Sequence, residues 1–241
     1  MQNIMLSIGI VISILFSLPT HSNAQNRNKK TISPSEKAMI EKIFQEISRT
    51  DQLYRNPLSK GTTDEKIITQ IDSVFDNEGI EAGLSYEKSL NLSLPKAIED
   101  SLWGLQHIID LQNHLTIKGL WNTYGYIPKE VVEEKNYVQI LLLVHPPKDW
   151  DIPTYLEEYA AFLLEEVKAE RMPAKVYAQF VDNIKGKILR EPQLYGTNQR
   201  FDAKTNAVLP PDIKNLEESN AARQAIGLPL LKEGEYELVI E

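Results

Sequence analysis

The chain has 241 residues, of which 42% are hydrophobic and 25% are charged, a composition typical of one globular domain rather than of a disordered or fibrous chain. The formal net charge is −8 and the sequence contains no basic cluster, so we expect neither nucleic acid nor an anionic membrane as the main partner. Cysteine is absent, which excludes disulfides and thiolate metal sites.

An apolar run from Ile4 to Leu18 opens the chain and ends at Pro19. The run is shorter than the ~20 residues that span a bilayer, and Ser22-Asn23-Ala24 places small residues where a signal peptidase cleaves. We therefore predict a signal peptide over residues 1–24, export to the periplasm or outside the cell, and no membrane insertion after cleavage. The alternative is an uncleaved N-terminal anchor, because no Lys or Arg precedes the run.

The mature chain is predicted to be mainly α-helical. Residues 25–32 are polar and predicted to be disordered, and one compact helical domain is predicted over 33–241. Ser33-Pro34-Ser35-Glu36 forms a capping box that starts a helix, and a second helix is predicted after Asp64. Asn56-Pro57 and Lys60-Gly61 are predicted to form the loop between these two helices, and the stretch between Asn77 and Leu94 has the weakest pattern.

A long helix is predicted from Pro95 to about Tyr124, with an apolar and a polar side. The predicted buried stripe consists of Ile98, Leu102, Leu105, Ile108 and Ile109. The opposite side carries His107, Asp110 and His114, whose spacing is compatible with a metal site. Because these polar residues lie opposite the apolar stripe, we predict a solvated face instead, and no metal or other cofactor.

The segment from Tyr137 to Val144 is apolar nearly all round, so periodicity alone does not distinguish a buried helix from a buried strand. The charged residues before it favour a helix. His145 follows at the end of this element, where a histidine serves as a cap, as a packing residue or as a proton-transfer group.

Further elements are predicted towards the C-terminus. Thr154-Tyr155-Leu156-Glu157 is a second capping box that starts a helix, and another helix after Met172-Pro173 carries Asp182. One small β-hairpin is predicted from about Arg200 to Val208, near the C-terminal third. A last helix over 216–226 and a short strand over 236–240, beside the hairpin, complete the prediction.

The densest group of polar side chains lies in the segment 193–198, where two residues restrict the backbone. Pro192 has a fixed φ, and Gly196 can adopt a positive φ or allow a close approach. In an extended segment, alternation places three side chains on one face: Gln193, Tyr195 and Thr197. The pattern predicts either a polar binding wall or a well-capped loop that starts a hairpin.

Asp182 is expected to accept hydrogen bonds from this segment, because a carboxylate beside an apolar stripe is costly to bury without donors. The nearest donors in the chain are the hydroxyls of Tyr195 and Thr197 and the N–H of Gly196. We expect His145 near the same cluster.

The segment from Gln193 to Asn198 resembles the Gln-x-Tyr-Gly-Thr-Gln signature of a bacterial family known only as a domain of unknown function. The resemblance extends from about Ile47 to Leu231, with Asn198 standing where the family has Gln. It implies a mostly helical fold and supplies no activity. Other matching positions are Asp51-Gln52, Asp110, Asn113, His145, Arg223 and Gly227-Leu228.

Two functions are compatible with the sequence. The first, which we favour at this point, is an exported binding or interaction module without catalysis, since it requires only the fold and the polar segment. The second is a hydrolase-like enzyme in which His145 is the general base and Asp182 orients it. The candidate binding residues in either case are Gln193, Tyr195, Gly196 and Thr197.

Overall fold

The computed structural model describes residues 30–202 and 207–239. The chain is mainly helical with a small antiparallel hairpin near the C-terminus, as the sequence predicts. The helices of the first half are α1 (Pro34–Asp51), α2 (Arg55–Lys60), α3 (Glu65–Glu78), α4 (Ile80–Leu90) and α5 (Lys96–Tyr124). Those of the second half are α6 (Lys129–Val132), α7 (Tyr137–Val144), α8 (Ile152–Lys168), α9 (Ala174–Asn183) and α10 (Leu216–Ala225). The strands are β1 (Arg200–Asp202), β2 (Ala207–Leu209), β3 (Asp212–Ile213) and β4 (Glu237–Leu238).

The two predicted capping boxes have different outcomes. At α1 the box is present, because Ser33 accepts from the N–H of Glu36 while the Glu36 carboxylate accepts from the N–H of Ser33. At α8 the predicted cap is wrong. The cap is Asp151, whose carboxylate accepts the N–H of Thr154 at 3.1 Å. Asp151 is a strong cap and lies just before the proline of the first turn, so the helix begins earlier than the sequence pattern suggested.

The helix α2 occupies a stretch that was predicted to be a loop, and α4 occupies the stretch with the weakest pattern. In α2, Pro57 lies within the first turn, where a missing backbone N–H costs little. Residues with positive φ bound α4 at both ends, Gly79 at 90° and Asn91 at 47°. The residues that looked like loop formers therefore mark the ends of a helix.

The core is built from α1, α5, α7, α8 and α9. The predicted helix over 137–144 is confirmed as α7, which packs between α1, α5 and α9. Its single polar residue, Gln139, is fully buried and accepts hydrogen bonds from Trp121 Nε1 at 2.7 Å and from the N–H of Ile127 at 3.0 Å. These bonds satisfy a polar side chain that would otherwise destabilise the core.

The orientation of α5 is the reverse of the predicted one. Its polar stripe faces the protein, and Asp110 and His114 are 4% and 3% exposed, whereas Ile108 is 57% exposed. The prediction assumed that the apolar side of an amphipathic helix must face the core. Burial of the polar side is possible here because Arg55, on α2, neutralises and hydrogen-bonds the carboxylate of Asp110.

The strands lie near the segment 193–198. β1 and β2 form the predicted antiparallel hairpin, whose tip at 203–206 is outside the described residues. β4 pairs in parallel with β3 rather than with the hairpin, and Gln193 extends this small sheet through a bridge to Ile213.

The predicted signal peptide and most of the segment 25–32 lie outside the described residues. Among the helices of residues 30–202 and 207–239, none combines the length and the apolar character needed to cross a membrane.

Candidate functional site

Asp182 lies near the end of α9, and the segment 193–198 folds around its carboxylate. Asp182 is 1% exposed, and its Oδ1 accepts the N–H groups of Leu194 at 2.9 Å and Tyr195 at 2.8 Å. Its Oδ2 accepts the N–H and the hydroxyl of Thr197 at 2.8 and 2.7 Å. The donors differ in part from those expected, since Tyr195 contributes its backbone N–H and Gly196 does not contribute. Burial raises the pKa of Asp182 above its ordinary value, and these four hydrogen bonds offset part of the increase.

The rest of the segment is also turned towards the protein. Gln193 closes the loop by donating to the carbonyl of Asn198 at 2.7 Å and accepting its N–H at 2.9 Å. Gly196 has φ 62°, and a Cβ there would lie 3.2 Å from the side chains of Ile213 and Leu231. Gln193 and Tyr195 are 4% and 5% exposed, so they do not form an open wall. The geometry supports the well-capped loop among the two alternatives.

His145 does not pair with Asp182, contrary to the sequence-based expectation. Each carboxylate oxygen of Asp182 already accepts two hydrogen bonds from the segment 194–197. His145, at the C-terminal end of α7, instead directs its Nδ1 towards Asp51, the last residue of α1, with 3.6 Å between Nδ1 and Oδ1. A hydrogen bond would need the two atoms to approach by roughly half an ångström. Acid–base pairs commonly show such a longer distance when no ligand is bound.

A buried ionic network holds Asp51 in place. Arg55 Nη1 donates to Asp51 Oδ1 at 3.1 Å and to Asp110 Oδ1 at 2.9 Å, and Nη2 donates to Asp110 Oδ2 at 2.8 Å. Gln106 supports Asp110 from the preceding turn of α5, at 2.8 Å. Gln52 donates to the second oxygen of Asp51 at 2.6 Å. The carboxylate of Asp51 is therefore fixed on both oxygens.

Asp51 remains ionised despite its burial. It is 1% exposed, and burial alone would raise its pKa. His145, the positive charge of Arg55 and the amide of Gln52 outweigh that effect, so the pKa of Asp51 lies below its ordinary value. The site thus presents a fixed negative charge to the ring of His145.

His114 contacts the backbone of His145. Its Nε2 lies 3.0 Å from the carbonyl oxygen of His145, and its ring packs against Trp150, Tyr155 and Tyr159. Burial lowers the pKa of His114 to about 4, so this ring is neutral at neutral pH and its Nε2–H can donate to the carbonyl. His114 therefore anchors the backbone at the end of α7.

The side chain of His145 is buried on one side and exposed on the other. Among the described residues Nδ1 is a buried atom without a hydrogen-bond partner, while 31% of the side chain is exposed. Asn113 Nδ2, on the buried side of α5, is another buried atom without a partner in the part of the chain that the structure describes. The arrangement leaves part of the His145 side chain exposed to solvent, with an ionised carboxylate on the Nδ1 side of the ring.

Arg55 and Gln106 are the members of this network that sequence reasoning missed. Both carry a detectable signal, because Arg55 follows Asp51 by four residues and Gln106 precedes Asp110 by four, which places each pair on one helical face or turn. Asp51, Asp110 and His145 are far apart in the chain and lie together here. Arg223 donates to the carbonyl of Tyr195 at 2.6 Å.

Within the described residues, no group of three or more His, Cys, Asp or Glu side chains is arranged to hold a metal ion. Comparisons with protein-family models, with curated proteins and with solved structures found no match for this chain.

Proposed function

We propose that this chain is a hydrolase-like enzyme in which His145 is the general base and Asp51 orients it. One observation carries the proposal: Nδ1 of His145 faces a buried, ionised carboxylate at 3.6 Å, while 31% of the His145 side chain is exposed. A carboxylate behind one ring nitrogen favours the tautomer whose proton is on that nitrogen, which leaves the other nitrogen free to accept a proton. Asp51 thus replaces Asp182 as the partner of His145.

The proposed reaction follows from the different roles of the two ring nitrogens of His145. Nε2 of His145 takes a proton from a water molecule as the water oxygen attacks an electrophilic carbon or phosphorus atom of the substrate. The imidazolium that forms lies beside Asp51, whose negative charge stabilises it. The same proton then passes from Nε2 to the leaving group as its bond breaks, and neutral His145 is restored.

Arg55 and Asp110 have a positioning role in this proposal. An ionised Asp51 that is 1% exposed needs compensation, and Arg55 supplies it through Nη1 at 3.1 Å. Asp110 in turn holds the guanidinium with two parallel hydrogen bonds, a geometry that fixes the plane of Arg55. The network thereby keeps Asp51 charged and aimed at the ring of His145.

The experiment is a hydrolysis screen over chromogenic esters, phosphoesters and peptides, followed by variants on the best substrate. His145→Gln and Asp51→Asn should each reduce kcat at least about 100-fold, the usual contribution of a positioned acid–base group. His107→Gln is the matched control, because its side chain is also 31% exposed and also lies near an aspartate, at 4.0 Å from Asp110. Equal activity of the His145 and His107 variants would contradict the proposal.

A second candidate function, an interaction module, has independent support in the exposed apolar side of α5. That side is separate from the proposed reaction site, so the two functions are compatible. We also propose that the chain is exported and cleaved after Ala24, on the strength of the apolar run and the small residues that follow it.

A further inference from the structure

The solvent side of α5 carries a continuous apolar stripe. Four side chains at helical spacing are 40–57% exposed: Leu105, Ile108, Leu111 and Leu115. Isolated apolar residues on a surface are ordinary, but a stripe along three turns of one helix marks an interaction site. The steps of three and four residues between its members match the seam of paired helices.

We propose that this stripe binds the same stripe of a second copy of the chain, with the two α5 helices antiparallel about a twofold axis. In a twofold interface each residue i contacts residue j of the partner and the reverse. An axis between positions 109 and 110 places Ile108 of one copy against Leu111 of the other. The apolar centre of the stripe is then covered by itself.

The sizes of the side chains fit this register. The same axis places Leu115 of one copy opposite Gly104 of the other. A Cβ added at Gly104 would meet nothing within 4 Å, so no other group of the described chain occupies the space above this glycine. Leu115, at 52% exposure, is free to occupy that space on the partner copy. Large residues opposite small ones allow two helices to approach closely.

The charges at the two ends of the stripe also fit. Asp100 lies before the stripe and Lys118 after it, so the antiparallel register brings Asp100 of one copy next to Lys118 of the other. Each already has a partner in its own chain, Lys96 at 2.9 Å for Asp100 and Glu158 at 2.6 Å for Lys118. At each end of the interface the Lys96–Asp100 pair of one copy therefore meets the Glu158–Lys118 pair of the other, with Asp100 next to Lys118. A parallel pairing would instead bring like charges together.

The proposed dimer leaves the reaction site open. The stripe and the buried residues Gln106 and Asp110 are on opposite sides of α5. The two copies consequently meet back to back, and the ring of His145 stays accessible in each. The inference is thus independent of the proposed hydrolysis, and it names the partner for the second candidate function.

The test is sedimentation velocity on the purified full chain and on the chain that begins at Gln25, from about 1 to about 100 µM. Both should sediment as dimers at the upper concentrations. Ile108→Lys should raise the dimer Kd at least about tenfold, because it places a charge at the centre of the interface. Leu84→Lys on α4 is the matched control, since Leu84 is also 57% exposed, and it should leave the Kd unchanged.

A charge exchange tests the register. Lys118→Glu should weaken the dimer, and adding Asp100→Lys in the same chain should restore part of the affinity. Monomers at all concentrations, or a dimer that Ile108→Lys leaves intact, would overturn the proposal. A double variant whose dimer is no tighter than that of Lys118→Glu alone would also overturn it.

Discussion

Asp182 and Thr197 are joined twice through the same carboxylate oxygen, since Oδ2 accepts both the N–H and the hydroxyl of Thr197, at 2.8 and 2.7 Å. The other oxygen binds the N–H groups of Leu194 and Tyr195. One side chain therefore satisfies three backbone donors of a loop that has no regular ladder of its own. This is a structural role, and it explains why a carboxylate is tolerated at 1% exposure.

The first prediction follows from these bonds. Asp182→Asn should lower the free energy of unfolding by about 1–3 kcal/mol, because the amide NH2 would face the N–H of Thr197 and leave donors unpaired. Urea denaturation at pH 7 measures the loss. Thr197→Ser keeps the hydroxyl and should cost less than the Asn variant. An Asp182→Asn protein as stable as the wild type would show that the cluster does not hold the loop.

The second prediction compares two Arg–carboxylate pairs that differ in burial. Asp110→Asn should destabilise the fold by about 3–5 kcal/mol, because Arg55 would lose the main compensation for its buried charge. Glu46→Gln removes the partner of Arg49, which also donates two hydrogen bonds but in a pair whose side chains are 61% exposed. That change should cost less than about 1 kcal/mol. Similar losses in the two variants would contradict the proposed importance of the Arg55 network.

The third prediction concerns acid stability. The pKa of His114 falls from an ordinary 6.5 to about 4 in the folded protein because the ring is buried. Between these pH values the unfolded chain binds a proton that the folded protein excludes, so stability falls as the pH falls. The loss from this group is on the order of 3 kcal/mol. His114→Gln should lose less stability than the wild type between pH 7 and pH 4, as measured by urea denaturation. An equal loss of stability between pH 7 and pH 4 in both proteins would contradict this prediction.

The fourth prediction concerns export. N-terminal sequencing of the protein recovered outside the cytoplasm should begin at Gln25, because Ser22-Asn23-Ala24 fits a signal-peptidase site. Ala24→Leu should impair cleavage, since the residue before the cut must be small. Recovery of intact Met1 from the membrane fraction would support the anchor instead.

Local patterns were sufficient to predict most of the fold. The capping box at Ser33, the cap at Asp64 and the turn residues near 200–209 each act within a few residues, so sequence spacing determines them directly. The Asp182 cluster was predictable in part for the same reason: the Thr197 hydroxyl donates as expected, whereas Tyr195 donates its backbone N–H instead of its hydroxyl. In these cases local and tertiary preferences agree.

The orientation of α5 and the pairing of His145 were not predictable in this way. The orientation of α5 depends on Arg55, which reaches from α2 to a carboxylate on α5, and such a contact leaves no trace in the periodicity of either helix. The sequence shows that α5 has a polar and an apolar side. It does not show which of the two is buried when an ion pair allows the polar side to face the protein. His145 likewise meets Asp51 only because α7 packs on α1.

The most direct test of the central claim is the tautomer of His145, which long-range ¹H–¹⁵N NMR spectra of the histidine rings report without knowledge of the substrate. The account predicts that neutral His145 carries its proton on Nδ1, facing Asp51, and that Asp51→Asn shifts the ring towards the Nε2–H tautomer that free histidine prefers. Assignment comes from the spectrum of His145→Gln. A wild-type His145 with its proton on Nε2 would leave no free base towards solvent, and this result would contradict the account.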